Sequence, residues 1–367
     1  MYKYSVILLF NQNPKKKTMI FTPLNEVKGV KDVVFLAGPC PRAGQDWEDW
    51  RSEMCGKLNA AGFKGDIINP TNPNYDTKDP DYYNKQCTWE TVGLHTASCI
   101  VFWVDRNDEH PALTTNIEFG IWSDRAPKSL VVGVPEGSEH CGYIKWVCEK
   151  KGIACFDTMD KGVDEVVRRF DPSNGQRLYF TSDTHFGSDR HLELSKRPFR
   201  DVCDMDLTFI SNWNKTVTSN DIVFHLGDFG DLSVLGKLNF KKMYLLKGNY
   251  EHDIKDFVVS DPRVVVCDNN ESVMKFVLDG EEIPCIHEPL FDRNSKLGDY
   301  FMKTSNKFFL YGHIHEKGLA KHNGLNVGID AHNYTPVGVD TVRFYKNAIQ
   351  VHYDGNVFCD SVGLVVK

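Results

Sequence analysis

The sequence predicts two domains: an N-terminal α/β domain with a five-stranded parallel sheet and helices on both of its faces, and a C-terminal α+β domain. Three observations lead to this prediction. The chain has 367 residues, and roughly 100–200 residues make one domain. Its first half alternates short Val- and Ile-rich runs with amphipathic stretches, whereas the runs of its second half lie closer together. A turn-rich segment, residues 171–176, separates the halves.

The predicted strands of the first half are short apolar runs, as expected of strands that are buried on both faces. They are Val33–Ala37, Asp66–Asn69, Cys99–Val104, Ser129–Val134 and Ile153–Phe156. Apolar residues recur at helical spacing from Trp47 to Ala61, with Asp46 as the predicted N-cap. Further helices are predicted at Tyr143–Lys150 and Asp164–Phe170. Strands that alternate with helices favour a parallel sheet.

The second half contains eight predicted strands and one clear helix, Asp204–Val217. The strands are Leu178–Ser182, Ile222–Leu226, Met243–Lys247, Arg263–Cys267, Val273–Leu278, Ile283–His287, Phe308–Tyr311 and Gly324–Ile329. The later ones are separated by short connections, which favours antiparallel pairing.

Composition restricts the class of protein. Apolar residues make up 41% and charged residues 25%, which is typical of folded globular domains. The net charge of −7 does not favour a large nucleic-acid surface, although a small anionic substrate fits where a metal ion supplies positive charge. The 11 cysteines have scattered spacings and form no CxxC pair. They indicate reduced thiols and a cytoplasmic protein.

Residues 1–30 match neither domain and are assigned to an extension of unknown role. Their apolar run, Tyr4–Phe10, is too short to span a bilayer. Lys15 to Lys17 follow this run rather than precede it, unlike the basic residues of a signal peptide. Tyr2–Phe10 is expected to add an edge strand or to mediate association, so a homo-oligomer stays open.

Five apolar runs of the second half each end in a small polar cluster, and together these clusters hold two Asp, one Asn and four His. The candidate residues are Asp183, His185, Asp228, Asn249, His287, His313 and His315. Strands that end at one edge of a sheet bring such residues together. Oxygen and imidazole ligands without thiolate suit Mn²⁺, Fe or Zn²⁺. The alternative is that they are separate surface or capping groups.

The motifs Asp183-x-His185, Gly227-Asp228, Gly248-Asn249, a lone His287 and Gly312-His313-x-His315 resemble those of the calcineurin-like metallophosphoesterases. The resemblance implies a four-layer αββα sandwich and a site for two divalent cations, with Mn²⁺ preferred and Fe, Zn²⁺ or Ni²⁺ as alternatives. It assigns ligands as follows: Asp183, His185 and His315 to the first cation, Asn249, His287 and His313 to the second, and Asp228 as the bridge. Two such cations would coordinate the phosphoryl oxygens and the attacking water.

The position after Asn249 departs from the family pattern, which has a His there to protonate the leaving group. Tyr250 occupies this position, and His252 lies two residues further on. Some small members of the family, chiefly phosphodiesterases, also lack that His. We therefore expect a phosphoesterase, and preferably a phosphodiesterase, whose leaving group either needs less help or takes its proton from Tyr250, His252 or water.

The first half contains a second set of candidate residues. Gly38, Pro39 and Arg42 follow the first predicted strand, and Asp105 follows the third. Asn116 and Glu118 open the helix before the fourth strand. Groups beyond the carboxyl ends of parallel strands form the ligand crevice of an open α/β sheet. The alternative is that these residues only form turns and cap helices.

Residues 35–39, the Trp89-Glu90 pair, residues 101–105 and Thr115-Asn116-x-Glu118-Phe119-Gly120 resemble nucleoside 2-deoxyribosyltransferases. The resemblance implies a flavodoxin-like fold in which Glu118 attacks the sugar carbon, Asp105 orients the sugar, and Gly38, Pro39, Arg42 and Asn116 bind substrate. Ala112 stands where better-studied transferases carry an acidic residue.

The predicted organisation is an extension at residues 1–30, a transferase-like domain at 31–171 and a phosphoesterase domain at 177–367. We expect a cytoplasmic, bifunctional enzyme that acts on a small nucleotide or nucleoside. One domain would hydrolyse a phosphomonoester or phosphodiester, and the other would cleave or transfer an N-glycosidic bond. The alternative is a phosphoesterase whose N-terminal domain binds or sequesters nucleotides without chemistry. No membrane partner is expected.

Overall fold

The structure is a computed structural model and describes residues 18–23, 25–27, 30–40, 49–72, 80–108, 111–254, 257–267, 273–288, 307–321 and 323–352. The predicted strand Tyr2–Phe10, the predicted N-cap Asp46 and the candidate residue Arg42 lie outside these ranges. Within the ranges, no helix is both long and apolar enough to cross a membrane.

The N-terminal half forms one sheet of six strands. They are β1 (Ile20–Phe21), β2 (Val34–Ala37), β3 (Ile67–Ile68), β4 (Cys99–Trp103), β5 (Leu130–Gly133) and β6 (Ala154–Phe156). All pairings are parallel, in the order β1-β3-β2-β4-β5-β6. The predicted count of five was wrong by one, because the two residues of β1 are too few to show a periodic pattern. The segment assigned to an extension therefore supplies an edge strand.

Five helices cover both faces of this sheet. They are α1 (Trp50–Ala60), α2 (Pro80–Thr96), α3 (Leu113–Arg125), α4 (Gly142–Lys151) and α5 (Met159–Arg169). Met54 of α1 and Val163 of α5 pack with Leu36 on one face, whereas Phe119 of α3 packs with Phe35 on the other. This is the predicted doubly wound arrangement. The N-cap of α1 is Asp49, whose side chain accepts a hydrogen bond from the Ser52 N–H.

The C-terminal half contains two five-stranded sheets. Its strands are β7 (Leu178–Thr181), β8 (Ile222–His225), β9 (Lys242–Leu246), β10 (Val264–Cys267), β11 (Val273–Leu278), β12 (Glu281–Ile286), β13 (Phe309–Tyr311), β14 (Ala320–Lys321), β15 (Gly324–Asn326) and β16 (Val337–Gly338). The first sheet has the order β10-β9-β8-β7-β16 and the second β11-β12-β13-β15-β14. Among the described strands of this half, only the outer strands β16, β11 and β14 pair antiparallel, so the prediction of antiparallel pairing holds in part.

Described helices of this half are α6 (Asp189–Leu194), α7 (Val202–Thr216), α8 (Asn249–Asp253) and α9 (Val339–His352). Adjacent residues of β7 point to opposite faces, as strand geometry requires. Tyr179 packs with Phe209 and Trp213 of α7, whereas Phe180 packs with Phe276 of the second sheet. The first sheet is therefore buried between α7 and the second sheet. The fourth layer of the predicted sandwich stays a prediction.

The amino ends of the two parallel sheets meet at the domain boundary. The Ser219 N–H donates to Asp32 Oδ1 (2.7 Å), and Asn239 Nδ2 donates to Ser98 Oγ (2.6 Å). Asn214 of α7 donates to the carbonyl of Thr96, the last residue of α2 (2.9 Å). Side chains of one domain thus satisfy the free carbonyls at a helix end of the other. The carboxyl ends of the strands lie away from this boundary.

Lys215 places an ammonium group inside the same boundary. Its Nζ donates to the carbonyls of Leu94 and His95 (3.4 Å each) and to Ser211 Oγ (2.6 Å), and it lies 4.3 Å from the centre of the Trp122 ring. Burial lowers the pKa of Lys215 from 10.5 to about 7. Removing a cation from water without a neighbouring carboxylate is costly, and the pKa falls as a result.

We expect Lys215→Met to change how stability depends on pH. The folded pKa lies below the unfolded one, so the unfolded chain binds more protons between pH 7 and 10. Wild-type stability should therefore rise with pH in this window, by about 2–3 kcal/mol relative to the variant between pH 7 and 9. Chemical denaturation at both pH values measures this difference. Exposed Lys64→Met is the control, and equal pH slopes for wild type and Lys215→Met would contradict the prediction.

Candidate functional site

All seven side chains that were predicted as metal ligands lie together at the carboxyl ends of strands. In chain order they are Asp183 and His185 after β7, Asp228 after β8, Asn249 after β9, His287 after β12, and His313 and His315 after β13. The strands that carry them run parallel within each sheet. Their ends therefore meet along one edge of the sandwich.

Asp228 lies between the two halves of this cluster. Its Oδ2 is 3.6 Å from Nε2 of His185 and 3.4 Å from Nε2 of His287. Asp183, His185 and Asp228 each offer one ligand atom, and these three atoms lie within 4.8 Å of one another. The same is true of one ligand atom each from Asp228, His287 and His313. This is the position expected of a carboxylate that bridges two cations.

The second half of the cluster is centred on Asn249. Its Oδ1 lies 2.8 Å from Nε2 of His287 and 3.2 Å from Nδ1 of His313. The other ring nitrogen of His287 donates to the carbonyl of Leu226 (2.8 Å). A histidine that donates one nitrogen to a carbonyl presents the lone pair of the other, which is the arrangement that metal ligation requires.

The first half of the ligand cluster is held in position by an ion-pair network whose residues were not assigned from the sequence. His315 Nδ1 contacts Asp330 Oδ2 (2.8 Å) and Ser195 Oγ (3.0 Å), which leaves its Nε2 for the site. Asp330 in turn pairs with buried Arg197 (2.8 Å), whose second amine donates to the carbonyl of Asp183 (2.6 Å). The network therefore ties two strand ends to each other and fixes the ring of His315.

Two buried ligand atoms show that the residues fit bound cations. Asp183 Oδ1 and His185 Nε2 are buried and have no hydrogen-bond partner within the part of the chain that the structure describes. An unsatisfied buried polar atom costs about 1–3 kcal/mol, so such atoms are rare unless something binds them. Carboxylate, amide and imidazole donors without thiolate suit hard or borderline divalent cations.

The electrostatics of the site match this donor set. Burial, aided by the neighbouring His191 and His315, holds the pKa of His185 far below its usual value, so its lone pair is free. Burial alone would lower the pKa of His287, but its hydrogen bond to Asp228 outweighs this and raises it to about 9. Burial would raise the pKa of Asp228, but the His287 partner lowers it. Cation binding must therefore displace a proton from this pair.

Five of the candidate ligands have left-handed backbone conformations. Their φ values are 59° for Asp183, 46° for His185, 58° for Asp228, 69° for His313 and 50° for His315. Such values are uncommon outside glycine and persist where the surroundings enforce them. Buried Glu251 enforces one of them, because its carboxylate accepts the N–H groups of Asp228 (2.8 Å) and Gly248 (2.9 Å).

Glycines at two of the strand ends allow these ends to approach one another closely. A Cβ on Gly312 would overlap Ser182 Oγ and lie 2.5 Å from Asp183 Oδ2. A Cβ on Gly248 would overlap Asp228 Oδ1 and lie 2.6 Å from its backbone nitrogen. Any larger residue at these positions must therefore move a candidate ligand.

We expect Gly312→Ala to lower cation affinity by about 10- to 100-fold, the range seen when ligand orientation is disturbed. The added methyl group would push Asp183 out of position. Calorimetric titration of metal-free protein with Mn²⁺ measures the affinity. Gly318→Ala is the matched control, because its Cβ would meet only Ile314 Cδ1 at 3.6 Å. An unchanged affinity in Gly312→Ala would contradict the expectation that the close approach at Gly312 holds Asp183 in position.

The two predicted proton donors lie in different surroundings. Tyr250 is half-buried, and its ring packs edge-on against His185 (4.8 Å) and His191 (5.1 Å). His252 is exposed on α8. The ring of buried His191 stacks on His185 at 3.5 Å with an angle of 6°, and His185, His191 and His315 form a further group whose ligand atoms lie within 4.8 Å of one another. His191, which was not predicted from the sequence, is therefore a further candidate ligand, and the roles of Tyr250 and His252 stay predictions.

In the N-terminal domain, the helix α3 carries two of the predicted residues. Glu118 is half-buried, and burial, together with the charge of Glu90, raises its pKa to about 7. Asn116 accepts a hydrogen bond from Arg106 (2.6 Å), which also holds the carbonyls of Glu139 and His140. The side chain of Asn116 therefore makes a structural hydrogen bond at this edge of the sheet.

Asp105 is exposed and lies two residues beyond the carboxyl end of β4. Its predicted role in orienting a sugar stays a prediction. Because Asp105 is exposed, its carboxylate is accessible to a ligand at the carboxyl edge of the sheet, where the helix that carries Glu118 begins.

The loop after β2 is fixed by α1 rather than free to move. Arg51 donates to the carbonyls of Leu36 (3.0 Å), Gly38 (2.7 Å) and Pro39 (3.1 Å). Trp50 Nε1 donates to Pro39 as well (3.1 Å). The carbonyls of Gly38 and Pro39 are thus already bound, so a ligand would have to use other atoms of this loop.

Three further polar residues near Glu118 were not assigned from the sequence. Gln86 of α2 donates to Glu90 Oε1 (2.8 Å), and Asn72 donates to Gln86 (3.0 Å). Arg51 lies close enough to oppose the rise in the pKa of both Glu90 and Glu118. A pair of carboxylates with an amide chain and a guanidinium therefore lines the carboxyl edge of the sheet. The Trp89-Glu90 pair was the only sequence feature that pointed to it.

Comparison with protein families identifies both halves. Residues 31–138 match a family model described as nucleoside 2-deoxyribosyltransferase like. Residues 177–329 match one described as a calcineurin-like phosphoesterase superfamily domain. The predicted fusion of these two families is confirmed.

Individual relatives cover about half of the chain. An uncharacterized protein of Methanocaldococcus jannaschii is 25% identical over 185 residues, which is 46% of this chain and 89% of that protein. A crystal structure of a protein of unknown function from Aquifex aeolicus matches with a TM-score of 0.37 and 18% identity, covering 47% of this chain and 100% of that one.

Proposed function

We propose that this chain, which joins a nucleoside 2-deoxyribosyltransferase-like domain to a calcineurin-like phosphoesterase domain, hydrolyses a phosphate ester of a nucleotide with two divalent cations. The observation that carries the proposal is the position of Asp228, which lies within 3.6 Å of histidines from both halves of the cluster. The cations would polarise the phosphoryl oxygens and activate water.

The residues of the chain divide into two sets around Asp228. One set, Asp183, His185 and His315, would hold the first cation, and the other, Asn249, His287 and His313, would hold the second. The Asp330–Arg197 pair keeps the first set oriented, and the carbonyl of Leu226 fixes the tautomer of His287. Mn²⁺ is the preferred cation, with Fe, Zn²⁺ or Ni²⁺ as alternatives.

A phosphodiester is the preferred substrate. Tyr250 stands where many relatives have a proton-donating His, and its ring lies against His185 rather than in solvent. A leaving group with a low pKa needs less help than an alkoxide that must be protonated. Phosphodiesters with a leaving group of low pKa therefore fit the site better than esters that release an alkoxide.

We also propose that the N-terminal domain cleaves the N-glycosidic bond of a nucleoside or nucleotide through Glu118. The support is the position of Glu118 near the start of α3, at the carboxyl edge of the sheet, where the charge of Glu90 is near enough to help raise its pKa. Two carboxylates in different environments suit a nucleophile and an acid at a sugar carbon. The alternative is a binding module, which the engagement of Asn116 by Arg106 favours.

Product analysis by mass spectrometry tests both activities. A panel of nucleotides and cyclic nucleotides is incubated with Mn²⁺ and wild-type, Asp228→Asn or Glu118→Gln protein. Phosphate-bond cleavage that is lost only in Asp228→Asn, with free base lost only in Glu118→Gln, supports two enzymes that share a substrate. Phosphate-bond cleavage without free base in any sample favours the binding module. Equal phosphate-bond cleavage by wild type and Asp228→Asn would contradict the proposed phosphoesterase.

A further inference from the structure

Two cysteines that neither proposed activity uses lie together at an edge of the N-terminal sheet. Cys148 is in the last turns of α4 and is 1% exposed, whereas Cys155 is the middle residue of β6 and is exposed. The chain turns between them at Gly152, whose φ is 62°, and the Ile153 N–H donates back to the Cys148 carbonyl (2.9 Å).

Strand register directs the Cys155 side chain toward α4. Cys155 pairs with Val132 of the parallel strand β5, and residues that face each other on adjacent strands point to the same side of a sheet. Val132 belongs to the apolar cluster that contains Cys148, Cys141 and Val147. The two thiols therefore lie on the same side of the sheet, near enough for each to shift the pKa of the other.

The two sulfurs differ in reactivity. The neighbouring Cys148 thiol, supported by Lys145, lowers the pKa of the Cys155 thiol to about 7. The neighbouring Cys155 and burial hold the pKa of Cys148 far above its usual value. Thiolates are the nucleophilic form of cysteine, so an exposed, partly ionised Cys155 lies beside a protected thiol. This pairing is the arrangement of a reactive cysteine with a resolving one.

We propose that Cys155 and Cys148 form an oxidation site, in which hydrogen peroxide oxidises Cys155 and Cys148 then closes an intrachain disulfide. In the first step, the Cys155 sulfur takes one oxygen of the peroxide. The O–O bond breaks, and water leaves after one proton is taken up. In the second step, the Cys148 sulfur loses its proton and attacks the Cys155 sulfenic acid. The S–O bond breaks and water leaves. The two thiols lose two electrons, and one peroxide becomes two waters.

The disulfide would join the edge strand β6 to the end of α4. An edge strand is paired on one side only, so it can adjust to the geometry that a disulfide requires more easily than a central strand. The site lies outside the domain boundary and the metal cluster, so it is open to chemical test in the intact, metal-loaded protein.

Peptide mapping after peroxide treatment tests the proposal. Reduced full-length protein is treated with hydrogen peroxide, alkylated and digested with trypsin. We expect peptide 146–150 to be linked to peptide 152–161, with the loss of two hydrogens. The rate should fall about tenfold for each pH unit below about 7, because only the thiolate reacts. Free Cys148 beside a Cys155 that is unmodified or oxidised to sulfinic acid would overturn the proposal.

Matched variants separate the two roles. Cys148→Ser should still give a sulfenic acid at Cys155, trapped by dimedone, but no linked peptide. Cys155→Ser should leave Cys148 unoxidised. Cys203→Ser, which removes an exposed thiol on α7, should leave the rate of linkage unchanged. Faster oxidation of Cys203 than of Cys155 in the wild-type protein would also contradict the assignment, and this comparison needs no variant.

Discussion

Replacing Asp228 with Asn should reduce phosphate-ester hydrolysis by about a thousandfold and should prevent the binding of one of the two cations. Asp228 Oδ2 is the only predicted ligand atom that faces both His185 and His287 among the described residues. A neutral amide oxygen is a weaker ligand and offers an N–H₂ group in place of the second oxygen. A loss of several kcal/mol of transition-state stabilisation corresponds to this decrease in rate.

Metal content and rate must be measured on the same preparations. Inductively coupled plasma mass spectrometry of Mn²⁺-loaded protein counts the bound cations, and initial rates on a phosphodiester report turnover. Asp340→Asn is the control, since that side chain is 90% exposed and pairs only with Arg343 among the described residues. Asp228→Asn protein that binds as many cations as wild type, with equal affinity, would show that Asp228 is not a bridge.

The sequence predicts the central strands well and the polar helices poorly. Runs such as Val33–Ala37 are apolar throughout because both faces of the strand are buried, and β2 is found at Val34–Ala37. The helix α2, Pro80–Thr96, was not predicted because Tyr, Trp and polar residues alternate without a clear apolar stripe. The carbonyl groups at its C-terminal end accept hydrogen bonds from Asn214 and Lys215 of the other domain. No local sequence pattern indicates these contacts.

The candidate metal cluster was predictable because its residues lie in short local motifs. Each candidate ligand comes within four residues of the end of a strand, and parallel strands bring their ends together whatever their separation in the chain. Arg197 and Asp330 act through a contact over 133 residues, so their pairing is not visible in the sequence. Asp330 follows the predicted strand Gly324–Ile329, however, and the same rule could have identified it. The left-handed conformations of Asp183 and His185 have no sequence signature.

The N-terminal site was less predictable because its residues come from three helices. Arg51 of α1, Glu90 of α2 and Glu118 of α3 converge only after the helices have packed on the sheet. A helical pattern identifies the buried face of each helix but not which helices are neighbours. The sequence therefore indicated the nucleophile candidate Glu118 and, in the Trp89-Glu90 pair, the second carboxylate, but not that the two lie near each other.

Base release by the N-terminal domain should increase about tenfold for each pH unit up to about 7 and then level off. Burial and the charge of Glu90 together raise the pKa of Glu118 to about 7, although the charge of Arg51 opposes both. The carboxylate attacks only when ionised. Below pH 7 the group is mostly protonated and inactive, and above pH 7 it is mostly ionised, so the rate follows its ionised fraction.

Glu90→Gln and Glu118→Gln test this origin of the pH profile. Removing the charge of Glu90 should lower the pKa of Glu118 and move the plateau to lower pH, whereas Glu118→Gln should reduce base release by about a thousandfold at every pH. Both variants should hydrolyse the phosphate ester at the wild-type rate, because the amino ends of the sheets, not their carboxyl ends, form the domain boundary.

A pH profile that Glu90→Gln leaves unchanged would remove the carboxylate pair from the mechanism. Retained nucleotide affinity without base release in wild-type protein would make this domain a binding module, in which the half-buried Glu118 contacts the ligand but does not attack it.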